Sequence, residues 1–178
     1  SHLLGGKGAN LAEMTNMGVP VPPGFTITTE VCAYYMQHKK YPAGLKKQVN
    51  DAIEYLEMDM CKKFGNPKNP LLFSVRSGAR QSMPGMMETV LNIGLNAQTA
   101  KGLIQQTKNP KFVFDCLRRL MMMYSDVVME KSTSKYPLSD GDGIRIQLEH
   151  ILETMKNQYK CKNDSDLQID ALIKLCDL

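Results

Sequence analysis

Apolar positions recur along most of the chain at intervals of three and four, which predicts a protein made chiefly of helices with a few short strands between them. Leu11, Met14 and Met17 share one face of a first helix over about Ala9 to Met17, and Gly18 supplies its stop. Gly5-Gly6-Lys7-Gly8 reads as a turn feeding that helix. Pro20, Pro22 and Pro23 then fix φ and remove backbone donors, so the helix cannot continue. Gly24 to Ile27 reads as a short strand. Thr28 or Thr29 caps a helix running through Tyr35 to about His38. A longer helix is predicted from about Ala43 to Phe64, with the stripe Leu45, Val49, Ala52, Ile53, Leu56 and Met60 and a stop at Gly65.

The period changes after the Asn66-Pro67-Lys68-Asn69-Pro70 loop. Leu71 to Val75 is apolar on both faces and is expected to be an interior strand. Gly78 to Met87 has no period and reads as a loop to a second strand, Thr89 to Ile93. Asn96 opens a helix to about Gln106, and Asn109-Pro110 opens a long one to about Glu130, with proline at the first helical position where its missing donor costs nothing. Val113, Leu117, Leu120, Tyr124, Val127 and Val128 form the stripe expected to be buried. After a polar break from Ser132 to Gly143, Ile144, Leu148, Ile151, Leu152, Met155 and Tyr159 mark another helix, and a last one is expected from about Asp166. The fold class implied is α+β: a short mixed or antiparallel sheet with several helices and a helical C-terminal appendage. The division expected is 1–131 for the main part and 132–178 for the appendage.

Composition changes this picture little. The chain has 178 residues, the length of one ordinary domain, and is 43% hydrophobic and 22% charged. A net charge of +4 from dispersed residues is too mild to argue for nucleic acid. No apolar run is long enough to span a membrane, and no secretion signal precedes Leu3; Ser1-His2 reads as a trimmed start. The five cysteines, Cys32, Cys61, Cys116, Cys161 and Cys176, are odd in number and irregularly spaced, which fits a reduced compartment with the thiols acting as small hydrophobes.

Two segments stand out for chemistry. Glycines at 5, 6 and 8 around Lys7 can present free backbone amides and a full positive charge to an anion, although a plain turn fits them equally. The spacing is not that of a Walker A loop. Arg76 ends an apolar run, where burying a guanidinium is expensive without an anionic partner; a structural salt bridge is the bland alternative. The following Ser77-Gly78-Ala79-Arg80-Gln81-Ser82 suits a loop that wraps phosphates. Arg118-Arg119 reads as a snorkelling surface pair, with Arg119 able to edge toward a cleft. Met121 to Met123 reads as core filler, Asp140-Gly141-Asp142-Gly143 as a turn, and His2, His38 and His150 have no partner pattern for a catalytic base.

Taken in order, Leu4 to Met14, Val21 to Thr29, Ser74 to Asn96 and Tyr124 to Met129 resemble the start of the pyruvate phosphate dikinases. Ser82-Met83-Pro84-Gly85-Met86-Met87 separates that family from the related phosphoenolpyruvate synthases. The resemblance implies the first subdomain of an ATP-grasp domain, with Lys7 and Arg76 positioning ATP phosphates, Arg119 touching them, and Gly85, Met86 and Met87 in a mobile loop above. It implies a phosphotransferase in which ATP and phosphate react through a phosphohistidine on another domain of the same chain and the phosphoryl group passes to pyruvate. It further implies ATP and Mg2+ as cofactors, with the magnesium ligands beyond Leu178, a dimeric parent, a monomeric and inactive fragment, and a cytoplasmic location with an organelle left open. A nucleotide-sensing module without catalysis, a related dikinase, and a purely structural helical domain stand as alternatives.

Overall fold

The structure is a computed structural model that describes residues 3–78, 89–129 and 144–167. It divides into two compact units, one formed by Ser1–Lys62 with Ser77–Met87, the other by Lys63–Arg76 with Glu88–Leu178.

The first unit holds three helices, α1 (Gly5–Asn16), α2 (Thr29–His38) and α3 (Leu45–Met60). Helix α1 begins four residues earlier than its apolar spacing predicts, so Gly6, Lys7 and Gly8 are helical rather than part of a preceding turn. Close packing explains the glycine at position 8. A Cβ there would stand 3.2 Å from both Leu4 Cβ and Thr26 Cγ2, tighter than side chains normally approach. The far end behaves as expected: Gly18, at φ +77°, donates to Thr15 O and Val19 to Met14 O, the paired bonds of a Schellman stop. Gly24 to Ile27 forms no strand, having no ladder partner among the described residues; instead Thr29 N–H donates to Leu3 O at 2.9 Å and fixes the start of α2. Thr28 occupies the N-cap position without a side-chain capping bond. Helix α3 stops four residues short of Phe64, because Cys61 turns left-handed at φ 51° and the Cys61 and Lys62 amides bond back to Met58 and Glu57. Its stripe faces inward as predicted, with Leu56 fully buried, although Met60 at its end is exposed.

In the second unit, β1 (Lys63–Phe64) pairs in parallel with β2 (Pro70–Leu71), and β3 (Phe73–Val75) pairs antiparallel with β4 (Val90–Ile93). The expected interior strand is therefore divided at Leu72 between two ladders, and its far end is not interior: Val75 is 53% exposed. Phe73 faces Ile93 and Val75 faces Val90, so β4 carries one residue more than β3 between those pairs. Asn92 takes the left-handed conformation of that bulge at φ 62°, and its Nδ2 donates to Cys116 O at 3.2 Å.

Helix α4 (Ala97–Thr107) opens on a full capping box. Asn96 Oδ1 accepts from the Gln98 and Thr99 amides, and Thr99 Oγ1 accepts from Asn96 N–H at 2.7 Å. Gly102 on α4 lies so close to the preceding loop that a Cβ would fall on the Pro67 carbonyl. Helix α5 (Pro110–Tyr124) has Asn109 as its cap and proline in its first turn, and it continues into a π turn, Ser125–Met129. The wider turn moves the buried face. Ser125 and Val127 are buried, whereas Tyr124 and Val128, expected inside, are exposed. Helix α6 (Ile144–Tyr159) and a 3-10 turn, Asp164–Asp166, complete the described chain. Leu152, Met155 and Leu167 from this tail join Leu95, Ala100, Val113 and Leu117 in one core. The expected break at 132–143 and the final helix beyond residue 167 lie outside the described residues. Of the cysteines, Cys32 and Cys61 are exposed rather than packed as hydrophobes, and Cys116 and Cys161 are half-buried.

Candidate functional site

The glycine-lysine segment makes an anion-receptive helix start by a different route from a turn. Leu4 is right-handed at φ −93° and ψ −7°, and Gly5 is left-handed at φ +67°. Successive residues of opposite hand aim their amides into one concavity, the geometry of a nest. Leu4, in the N-cap position, makes no side-chain capping bond, and no acidic residue occupies the first turn of α1. Lys7 is exposed on that turn and has no ion-pair partner among the described residues. The second predicted segment reaches the same place: a Cβ on Gly78 would lie 3.8 Å from Leu4 O. An ammonium group beside a helix N-terminus can hold an anionic oxygen cluster; Gly5 itself is buried and Lys7 is exposed.

The cations of the second unit occupy two kinds of setting. Arg76 follows β3 and is exposed, without an ion-pair partner among the described residues. The cost of burying its guanidinium, which drew attention to it in the sequence, therefore does not arise. Arg119 projects from α5 with its side chain 59% exposed, and its Nε donates to Asp115 Oδ2 at 2.7 Å. Gly85, Met86 and Met87 lie outside the described residues. Lys7 thus belongs to the first unit, and Arg76 and Arg119 to the second.

Arg118 departs from the expected surface role. Its side chain is only 19% exposed, its Nη2 donates to Asp115 Oδ1 at 2.8 Å, and its Nη1 stands 3.4 Å from Asp164 Oδ2. Arg118 Nε is buried without a hydrogen-bond partner among the described residues. Lys156 of α6 joins the network through Asp164 at 3.1 Å and Glu153 at 2.6 Å. Asp115, Arg118, Lys156 and Asp164, with Lys162 and Asn163, line an open concavity of about 370 Å³. Burial pushes the Asp115 carboxyl up, but hydrogen bonds from Arg118 and Arg119, and then their charge, more than offset this and hold it below the usual carboxylate range. The Asp-x-x-Arg-Arg spacing at 115–119 contained the signal for this fork, since side chains three and four apart meet on a helix. Asp164 and Lys156 meet only through the fold.

Among the described residues no group of three or more His, Cys, Asp or Glu side chains is placed to hold a metal ion. No helix among them is long and apolar enough to cross a membrane. His38 is turned to its own helix, its Nδ1 3.0 Å from Tyr34 O and its ring stacked on Tyr34.

A mixed α/β protein with a helix start able to receive an anion is compatible with nucleotide binding, and comparison with known proteins gives the family. The family described as the AMP/ATP-binding domain of pyruvate phosphate dikinase matches residues 1–51 and 41–172. Pyruvate, phosphate dikinase of Clostridium symbiosum is 47% identical over 177 residues, covering 99% of this chain and 19% of the relative. The Giardia intestinalis enzyme of that name is 44% identical over 175 residues, with 98% and 18% covered. The chloroplastic pyruvate, phosphate dikinase 1 of Arabidopsis thaliana is 45% identical over 174 residues, with 97% and 17% covered. The chain belongs to the pyruvate phosphate dikinase AMP/ATP-binding domain family. It spans less than a fifth of the length of these curated relatives.

Proposed function

We propose that this chain is the phosphate-holding front part of the ATP-binding domain of a pyruvate phosphate dikinase. The parent enzyme converts ATP, phosphate and pyruvate to AMP, pyrophosphate and phosphoenolpyruvate through a phosphohistidine carried on another domain. The observation that carries the reading is the Leu4–Gly5 nest, with its uncapped amides, exposed Lys7 and neighbouring Gly78. Phosphoryl transfer is promoted chiefly by positioning and by neutralising charge, which is work for fixed amides and cations. Lys7 and Arg76 position the phosphates in this reading, Arg119 adds a third cation, and Gly85, Met86 and Met87 belong to the loop above them.

The fold is read as the first subdomain of an ATP-grasp domain, with residues 1–131 its front part and 132–178 a helical appendage of the same domain. The shared packing of Leu152, Met155 and Leu167 with Val113 and Leu117 supports that continuity. Magnesium ligands are assigned to parts of the parent outside this segment, so the segment alone is inactive; it is read as a monomer, and the parent as a dimer in the cytoplasm or an organelle. The test is pyruvate-dependent AMP formation by the full-length parent. Lys7→Ala and Arg76→Ala are each expected to lose about 10²-fold or more, the scale for removing a preorganised charge-stabilising donor. Rates near wild type for both would overturn the assignment.

A further inference from the structure

We propose that Asp115 is a positioning residue for Arg119: it holds Nε and leaves the guanidinium's two terminal nitrogens to face a phosphate, while Arg118, on the same carboxylate, serves only the fold. The proposal rests on the reading that Arg119 contacts ATP phosphates, and it adds what that reading lacks, a reason why one of two adjacent arginines is available.

The sorting is visible in the contacts. Asp115 divides its oxygens, Oδ1 accepting from Arg118 Nη2 at 2.8 Å and Oδ2 from Arg119 Nε at 2.7 Å. Arg118 is committed beyond that bond, since its Nη1 reaches Asp164, which Lys156 also holds. Arg119 makes no further hydrogen bond or ion pair among the described residues, and its side chain is 59% exposed against 19% for Arg118. Recognition of phosphate by arginine is strongest when two parallel N–H groups are presented together. A carboxylate on Nε occupies the inner donor of Arg119 and keeps the outer pair intact. It also restrains a long side chain before the ligand arrives, so less rotamer freedom is lost on binding. A solvated helix pair of the same spacing would stabilise the helix slightly and do nothing for a ligand.

A double-mutant cycle in the full-length parent separates the two. Arg119→Ala is expected to lower kcat/KM for ATP about 10²-fold, as removal of a charge-stabilising donor does. Asp115→Ala is expected to lower it about tenfold, within the range of coupling between residues in one network. The double variant should be no worse than Arg119→Ala alone, and KM for pyruvate should not move. Arg118→Ala should lower Tm while leaving kcat/KM for ATP within about twofold, as for a residue remote from the transition state. If Asp115→Ala fails to fold, Asp115→Asn takes its place in the cycle, since it keeps the shape and one acceptor. Losses that multiply in the double variant, or an equal kinetic loss in a folded Arg118→Ala, would overturn the positioning role alone. An Arg119→Ala enzyme with wild-type kinetics would overturn the underlying contact and the proposal with it.

Discussion

The two units of this chain divide two kinds of work. The first carries Lys7 and the glycine nest, yet Gly5 and Leu56 are its only fully buried positions among the described residues, and Leu11, Met14, Met17, Phe25 and Ile27 of the same unit are exposed. The second carries a connected core from Leu95 to Leu167 and the charge network that ties α6 and the 3-10 turn to α5. Local stability follows buried apolar contact, so the second unit sets the resistance of the chain to unfolding and the first rests on a weaker base.

The largest expected effect that sharpens this contrast is Leu117→Ala. It should cost about 2–5 kcal/mol in urea unfolding, the range for truncating a buried leucine. Met17→Ala, on an exposed residue of the first unit, should stay within about 0.5 kcal/mol. Equal losses would break the comparison. Next comes Gly102→Ala, which drives a methyl group into the Pro67 carbonyl and should destabilise by about 1–3 kcal/mol. Gly78→Ala, with only ordinary contact to Leu4 O, should unfold at the wild-type urea midpoint.

Smaller again is Asn96→Ala, which removes both accepting bonds of the α4 cap and should cost about 1 kcal/mol in the same measurement. Thr28→Ala, where no side-chain capping bond exists, should leave the midpoint unchanged. The smallest effect is acid sensitivity. Because the folded Asp115 carboxyl titrates below its ordinary value, its contribution is complete above about pH 5 and is lost progressively as the pH falls through the ordinary carboxylate range and below it. A Tm profile should be flat in this respect from neutral pH to about 5 and then decline, and Asp115→Asn should make the decline shallower.

Local rules explain what the sequence revealed of this fold. Asn96, Asn109-Pro110 and Gly18 mark helix ends through bonds made within a few residues, and all three act as their positions predict. Helix spacing alone also located the inward stripe of α3. What escaped depends on neighbours distant in the chain. Gly24 to Ile27 lacks a ladder partner, the 71–75 run splits between two partners, and Gly8 is small because Thr26 lies against it. In the candidate site, Lys7 was legible from the glycines around it. The nest that makes those glycines useful was not, because it depends on the handedness of Leu4 and Gly5. Asp115 was legible in principle from its spacing to the two arginines, but its other tie, through Asp164, required the tail to fold back on α5.

The π turn at Ser125–Met129 bears on how this domain can change length. Such a turn accommodates one residue more than an α-helix would over the same rise. Deleting a single residue there should let the helix close up into ordinary winding with its downstream end kept on the same face, because the wide turn holds the residue that is removed. The same deletion in the middle of α5 would instead turn Leu117 or Val113 out of the core. The junction is therefore a place where the chain can lose a residue with the packing of α5 untouched.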